Sequence, residues 1–322
     1  MNILITGITG FVGSHLAEYY LKNLPKVKIY GTIFSHHLGD ELHRIKHIKN
    51  KIELLECDLN NRVAVYRVIK KSTPSKIYHL AAQSFVPVSW HSPEDTLINN
   101  IISELNIFET VRDLKINPKI LIACSSEEYG LVLEDELPIN EKSLLRPLSP
   151  YAVSKITQDM LAYQYSQSYG LKTIITRAFN HTGPRRGEQF VCSNFAKQIA
   201  EIEKGKKKPI IHVGNLNAKR DFTDVRDIVR AYHLATEKCK TGEQYVICSG
   251  KTITIKLVLN LLIKLSTIKD IKITEDPERM RPSDVPILLG DYSKFNKQTN
   301  WNPEIPFEKT LEDLLNYWRK EI

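Results

Sequence analysis

The chain has 322 residues, 42% of them apolar, and its 45 lysines and arginines outnumber its 37 aspartates and glutamates to give a formal net charge of +8. That is enough chain for one large α/β unit plus a smaller lobe, each with its own core, so no disulfide or metal staple is needed. Cys57, Cys124, Cys192, Cys239 and Cys248 are scattered without C-x-x-C spacing, which argues for reduced core residues, and no apolar run or basic leader points to a membrane or to export, so a cytoplasmic protein is expected.

In chain order, Met1–Thr6 is a short apolar run that reads as a buried parallel strand. Gly7-Ile-Thr-Gly10-Phe-Val-Gly13 follows at once and opens an apolar-periodic helix that runs through Leu21. Strand, glycine turn and helix together predict a dinucleotide site. Gly7 permits the tight turn, Gly10 lets backbone approach a pyrophosphate, Gly13 allows close helix packing, and the helix amides favour the anion. A second strand, Lys28–Ile33, leads to Ser35-His36-His37, where an acid would bond a ribose 2′-hydroxyl and an arginine a 2′-phosphate. Neither is present, and the missing acid together with donors on Ser35 and His36 favours NADP over NAD. His43 and His47 could share a helical face, but no carboxylate or cysteine completes a ligand set, and no metal is expected.

Further strands at Ile52–Glu56, Lys76–Leu80, Ile120–Cys124 and Thr173–Arg177 alternate with helical segments and predict a doubly wound parallel α/β sheet. Such sheets bind ligands at the carboxyl ends of their strands, and there Ser125-Ser-Glu-Glu-Tyr-Gly130 follows Cys124. Ser149 can cap a helix whose first residue is Pro150, which sets Tyr151 and Lys155 four apart on one face. A hydroxyl, a carboxylate, a phenol and an ammonium on neighbouring elements suit hydride-transfer chemistry, with the ammonium lowering the phenol's pKa so that it exchanges a proton with a substrate hydroxyl. Lys204-Gly-Lys206-Lys-Lys208, the densest basic run, sits at a glycine turn without interleaved aromatics, so no nucleic-acid partner is expected and the excess positive charge suits a small anionic ligand.

Asp58-Leu59, His79-Leu-Ala-Ala82, Ser125–Gly130, Leu145-Arg-Pro-Leu-Ser-Pro-Tyr-Ala-Val-Ser-Lys155, Arg177-Ala-Phe-Asn-His-Thr-Gly-Pro184, Val213–Val225 and Arg281-Pro-Ser-Asp-Val-Pro286 occur in series. Over nearly its whole length the chain thereby resembles the extended short-chain dehydrogenase/reductase family, and within it the branch of GDP-mannose 4,6-dehydratases and GDP-4-keto-6-deoxymannose reductases. The resemblance implies a Rossmann cofactor lobe over residues 1–178, with returns near 224–249, and a smaller C-terminal nucleotide-sugar lobe over 179–322. It implies a homodimer paired through Asp95–Leu114 and Pro150–Tyr169.

For the cofactor, NADP or NAD regenerated each turnover, Ser35 and His36 are the expected contacts where the chain departs from the family's basic residues, and the resemblance implies Gly7, Gly10, Phe11, Val12, Gly13, Asp58, Leu59, Leu80, Ala81, Ala82, Asn100, Tyr151 and Lys155. For a GDP-sugar it implies Ser84, Asn180, Val191, Lys197, Arg220, Arg281 and Asp284, with Trp90 and Arg185-Arg186 on the hexose side. Tyr151, assisted by Lys155 and Ser125, is then expected to take the O4 proton. Glu127 would remove the proton at C5, and Ser126 would help protonate the hydroxyl leaving C6. Pro184-Arg-Arg-Gly-Glu188 resembles the dehydratase loop, whereas Val213–Asp221 and Tyr245–Gly250 look more like the reductases. A 4,6-dehydratase of GDP-mannose or GDP-N-acetylglucosamine is expected, with an NAD(P)H-dependent reductase of a GDP-4-keto-6-deoxyhexose as the alternative. A non-catalytic nucleotide-binding protein is the alternative of another class, against which the intact Ser125, Tyr151 and Lys155 stand.

Overall fold

A computed structural model describes residues 1–34, 41–279 and 285–322. The first half of the chain alternates β1 (Asn2–Thr6), α1 (Phe11–Asn23), β2 (Lys28–Ile33), β3 (Glu53–Glu56), α2 (Arg62–Ser72), β4 (Lys76–His79), α3 (Val86–His91), α4 (Pro93–Asp113), β5 (Lys119–Ser125), α5 (Pro150–Tyr169) and β6 (Lys172–Ala178). Then come β7 (Asn180–Thr182), α6 (Val191–Glu203), β8 (Ile210–Val213), β9 (Lys219–Asp224), α7 (Val225–Lys238), β10 (Gln244–Ile247), β11 (Thr252–Thr254), α8 (Ile255–Leu265), β12 (Lys272–Glu275), α9 (Ser293–Thr299) and α10 (Phe307–Glu321).

Seven strands form one parallel sheet in the order β10-β6-β5-β4-β1-β2-β3. Helices cover both faces, which is why its strands read as continuous apolar runs rather than alternating ones. Along β1, Ile3 and Ile5 pack under α1 and α7 with Leu16, Tyr20, Ile228 and Tyr232, whereas Leu4 faces the opposite layer with Val65, Ile107 and Phe108. Each such side chain contributes about 1.5–3 kcal/mol by leaving water. The strand order reverses between β1 and β4, so the segments following these strands part and leave a crevice at their carboxyl ends.

The second core gathers α6, α8 and α10 around Phe195, Ile199, Val258, Leu262, Leu311 and Leu314. Two small sheets, β11-β9-β7 and β12-β8, flank it. Asp221, fully buried on β9, accepts the backbone N–H groups of Ser249 and Gly250 and the Ser249 hydroxyl, which pins β9 to the segment leaving β10. The basic run after α6 is a solvated turn: Gly205 has a positive φ of 69°, Lys206 donates to the Ile322 carbonyl, and Lys207 pairs with Glu201. All five cysteines are buried, and among the described residues no helix is long and apolar enough to cross a membrane.

Candidate active site

The glycine turn after β1 is built as its spacing requires. Gly7 takes φ +65° and its carbonyl accepts Gly10 N–H at 2.9 Å, closing the turn. A Cβ on Gly13 would stand 2.3 Å from that same carbonyl, so α1 can approach the turn this closely only with glycine there. Gly10 caps α1 without a side-chain bond, leaving the first-turn amides to whatever fills the crevice. On β4's side, the Thr6 hydroxyl accepts the amides of Leu80 and Ala81, holding that backbone against the turn.

At the end of β5 a single 3₁₀ turn, Ser126–Glu128, separates two adjacent glutamates. The Ser125 hydroxyl accepts Glu127 N–H at 3.2 Å and the Glu128 carboxylate accepts Ser125 N–H at 2.8 Å, a reciprocal cap. The cap drives Glu128 into the interior, 0% exposed, while Glu127 stays half-buried on the crevice wall. Ser149 caps α5 through Ala152 N–H, and Tyr151 and Lys155 then project from one face toward Ser125. Lys155 Nζ lies 5.9 Å from the Tyr151 ring centroid and donates to the Ala123 carbonyl and to Gln158 Oε1, each at 2.8 Å.

The crevice is a cavity of about 900 Å³, large enough for an extended ligand pair. Its wall includes Gly7, Gly10, Phe11, Val12, Gly13, Leu80, Ala81, Ala82, Ser84, Trp90, Ser125, Ser126, Glu127, Tyr151, Lys155, Asn180, Val191 and Arg220. The glycine turn, the Ser-Ser-Glu turn, the Tyr–Lys pair and four of the residues assigned to a nucleotide-sugar thus meet in one space.

The family model described as GDP-mannose 4,6 dehydratase matches residues 4–314. The chain belongs to the GDP-mannose 4,6-dehydratase family. It is 33% identical over 345 residues to a GDP-mannose 4,6-dehydratase of Vibrio cholerae, covering 97% of this chain and 92% of the relative. It is also 30% identical over 321 residues to the GDP-6-deoxy-D-mannose reductase of Pseudomonas aeruginosa, covering 100% and 98%. Among solved structures, that of RMD from Pseudomonas aeruginosa complexed with NADPH superposes with a TM-score of 0.86 at 28% identity over 100% of this chain and 99% of that one.

A nicotinamide dinucleotide, the cofactor class of this NAD(P)-dependent family, fits the residues present. The Gly7–Gly13 cradle leaves no room for a Cβ, and across the crevice stands the half-buried Arg186. Arg186 Nε is buried without a hydrogen-bond partner among the described residues, and its guanidinium lies over the rings of Phe190 and Phe11, 3.4 and 4.8 Å from their centroids. Burial pushes its pKa down, the mark of a cation lacking its counter-charge. Arg185 and Arg186 point opposite ways because Arg185 takes φ +70°. Arg185 Nη1 bonds Glu18 on α1 at 2.9 Å, so Arg186 turns into the crevice.

Several expectations need correction. The Tyr151 phenol is pushed up, not down: burial is the largest cause, the Ser125 hydrogen bond opposes it, and the charges of Glu127 and Glu128 add to it. Lys155 spends hydrogens on Ala123 and Gln158 and is itself pushed down by burial, so in the protein alone it does not make the phenol acidic. Lys197 is absent from the crevice wall; it pairs with Glu188 and lies 5.3 Å from the Trp318 ring. Six residues after Val191 is about 240° around a helix, and Asn194 and Phe195 take the crevice-facing positions instead.

Asn100 is a clip behind the wall, bonding Gln83 N–H at 2.8 Å and the Ser154 hydroxyl at 2.9 Å. Asp58 and Leu59 lie beyond β3 outside the cavity, where Asp58 accepts Asn60 N–H. Ser35, His36, Arg281 and Asp284 lie outside the described residues. Arg279 was not foreseen: it lines the crevice, held by Asp276 at 3.0 Å and Asn194 at 2.7 Å. The Arg-x-Arg spacing with Arg281 was the available signal.

One trio of potential metal ligands, Cys124, Glu128 and Asp159, lies within 4.8 Å among the described residues. Arg177 already stands there, its Nε 2.7 Å from Asp159 and 3.3 Å from Glu128, so a guanidinium supplies the positive charge.

Proposed function

We propose that this protein is a 4,6-dehydratase of a GDP-activated hexose, GDP-mannose or GDP-N-acetylglucosamine, giving the GDP-4-keto-6-deoxy sugar. The observation that carries this reading is the half-buried Glu127 carboxylate, held on the crevice wall beside Ser125 and Tyr151 by a turn that sends its neighbour Glu128 into the core. Simple oxidoreduction at C4 needs one proton carrier, whereas elimination of water needs a second.

Bound NADP or NAD supplies hydride acceptance at C4 and hydride return at C6. Arg186 is placed to meet the negative charge of such a dinucleotide across from the glycine turn, and Tyr151 with Lys155 borders the same space. Tyr151 takes the O4 proton, with Ser125 orienting the phenol, the Lys155 charge standing behind it, and what binds beside it favouring the ionised form. The ketone so formed acidifies the C5 hydrogen, which Glu127 removes. Ser126, adjoining on the same turn, assists protonation of the departing C6 hydroxyl. Arg220, whose guanidinium is anchored on the carbonyls of Lys219 and Val285, and Arg279 offer planar donors suited to a diphosphate. NADP is favoured: Arg44, on the 3₁₀ turn Glu41–Ile45, reaches the Thr9 carbonyl of the glycine turn and brings a cation to its outer side. The exposed apolar side chains Ile98 on α4 and Val153, Met160 and Tyr163 on α5 support pairing of two copies through these helices.

A second reading, reduction of a GDP-4-keto-6-deoxyhexose, is favoured by the end-to-end match to the Pseudomonas reductase. Glu127→Gln separates the two. It is expected to keep oxidation at C4 while losing solvent-deuterium incorporation at C5 by about 100- to 10,000-fold, the usual worth of a general base. Undiminished exchange in the variant contradicts the dehydratase assignment of Glu127.

A further inference from the structure

Beneath the crevice floor lies a sealed set of charges of which the steps above use only Lys155. Glu104 on α4, Glu128 after β5 and Asp159 on α5 are each 0% exposed, and Lys155 and Arg177 are 4% and 3% exposed. Three carboxyls therefore face two cations. Full ionisation would leave one negative charge unmatched and out of water, which burial opposes strongly, so the set retains a proton.

The three carboxyls are not equivalent. Arg177 claims Asp159 at 2.7 Å and stands 3.3 Å from Glu128, which also accepts the Ser125 amide. Glu104 has no comparable partner: neither oxygen receives a well-formed hydrogen bond among the described residues, and its polar neighbours are Lys155 and Gln158. Burial pushes its carboxyl well above the ordinary range, while the Lys155 charge pulls it back. The other groups facing this space are Asp159 on α5, Cys124 on β5, Glu128 on the turn, Arg177 on β6 and His79 on β4. His79 is held between Thr6 and Ser103 and kept neutral by burial, its pKa pushed down to about 3. Lys155 forms no direct ion pair among the described residues, and Glu104 is one of the charges that favour its ammonium form.

We propose that Glu104 is a positioning residue acting through Lys155: it gives up the retained proton as pH rises, and the resulting carboxylate keeps Lys155 charged behind Tyr151. This rests on Tyr151 and Lys155 being the catalytic pair. The sign follows directly, because a carboxylate raises a neighbouring ammonium's pKa and its loss lowers it.

The test is the pH profile of kcat for the full-length enzyme and for Glu104→Gln, which keeps the shape and removes the charge, with thermal unfolding measured alongside. The alkaline limb of the variant is expected about one pH unit lower, a deficit of about tenfold above both limbs. Superimposable profiles overturn the proposal; a purely structural role would change stability and leave the limb in place. Should the variant not fold, infrared spectra of the wild-type enzyme decide: a protonated-carboxyl band that disappears at pH values below the alkaline limb, before Lys155 loses its charge, is expected, and a missing or invariant band overturns it. Failure of the underlying reading shows separately, as Tyr151→Phe turning over at the wild-type rate.

Discussion

At the scale of single residues, the chemistry depends on how neighbours in sequence are sent to different surroundings. Glu127 and Glu128 differ by one position, yet one borders the crevice and the other is sealed, with burial as the largest cause raising its pKa. Arg185 and Arg186 divide likewise, one tied to α1 and the other aimed into the crevice. Tyr151 is 7% exposed and its phenol is raised by burial, so its ionisation has to be favoured by what binds beside it. Replacing it by phenylalanine removes only the oxygen that carries the proton. Tyr151→Phe is therefore expected to lower kcat by about 100- to 10,000-fold while cofactor affinity, read by titrating intrinsic fluorescence, stays within about twofold. Turnover near the wild-type rate would remove Tyr151 from the proton path.

At the scale of elements, local spacing was legible and long-range facing was not. The glycine turn and the Ser149-Pro150-Tyr151 helix start were readable because each is fixed by backbone rules acting over a few residues. Strand positions agreed to within a residue or two for β1 to β6, since runs buried on both faces are predominantly apolar. Lys197 was misplaced because its position on α6 relative to the crevice is set by packing against α10 and Trp318, which its spacing from Val191 alone does not reveal. Arg186 was read only as part of a hexose-side loop, because its direction depends on a positive φ at Arg185, which is held against α1. The closeness of α1 to the first turn yields a prediction of its own. Gly13→Ala would set a Cβ 2.3 Å from the Gly7 carbonyl and 2.8 Å from Ile8 Cα, so backbone has to move. A loss of about 1–3 kcal/mol in stability is expected by denaturant titration, with cofactor binding at least about tenfold weaker. Unchanged affinity would mean that the cradle tolerates the shift and that its tightness is not what shapes the site.

At the scale of the whole molecule, two cores meet along one crevice: the large sheet contributes the glycine turn and the Ser125–Lys155 chemistry, and the smaller layer contributes Val191, Arg220 and Arg279. The two proposed net reactions are distinguished by their hydrogen balance. A 4,6-dehydratase moves hydrogen within one sugar, so cofactor is needed only in catalytic amount, whereas a reductase consumes one reduced cofactor per product. The decisive measurement mixes the protein with GDP-mannose or GDP-N-acetylglucosamine and substoichiometric oxidised cofactor, following product mass and nicotinamide absorbance together. Loss of one water from the sugar with no net change in absorbance is the predicted result. Intact GDP-hexoses, together with stoichiometric NAD(P)H consumption on a supplied GDP-4-keto-6-deoxyhexose, would contradict it.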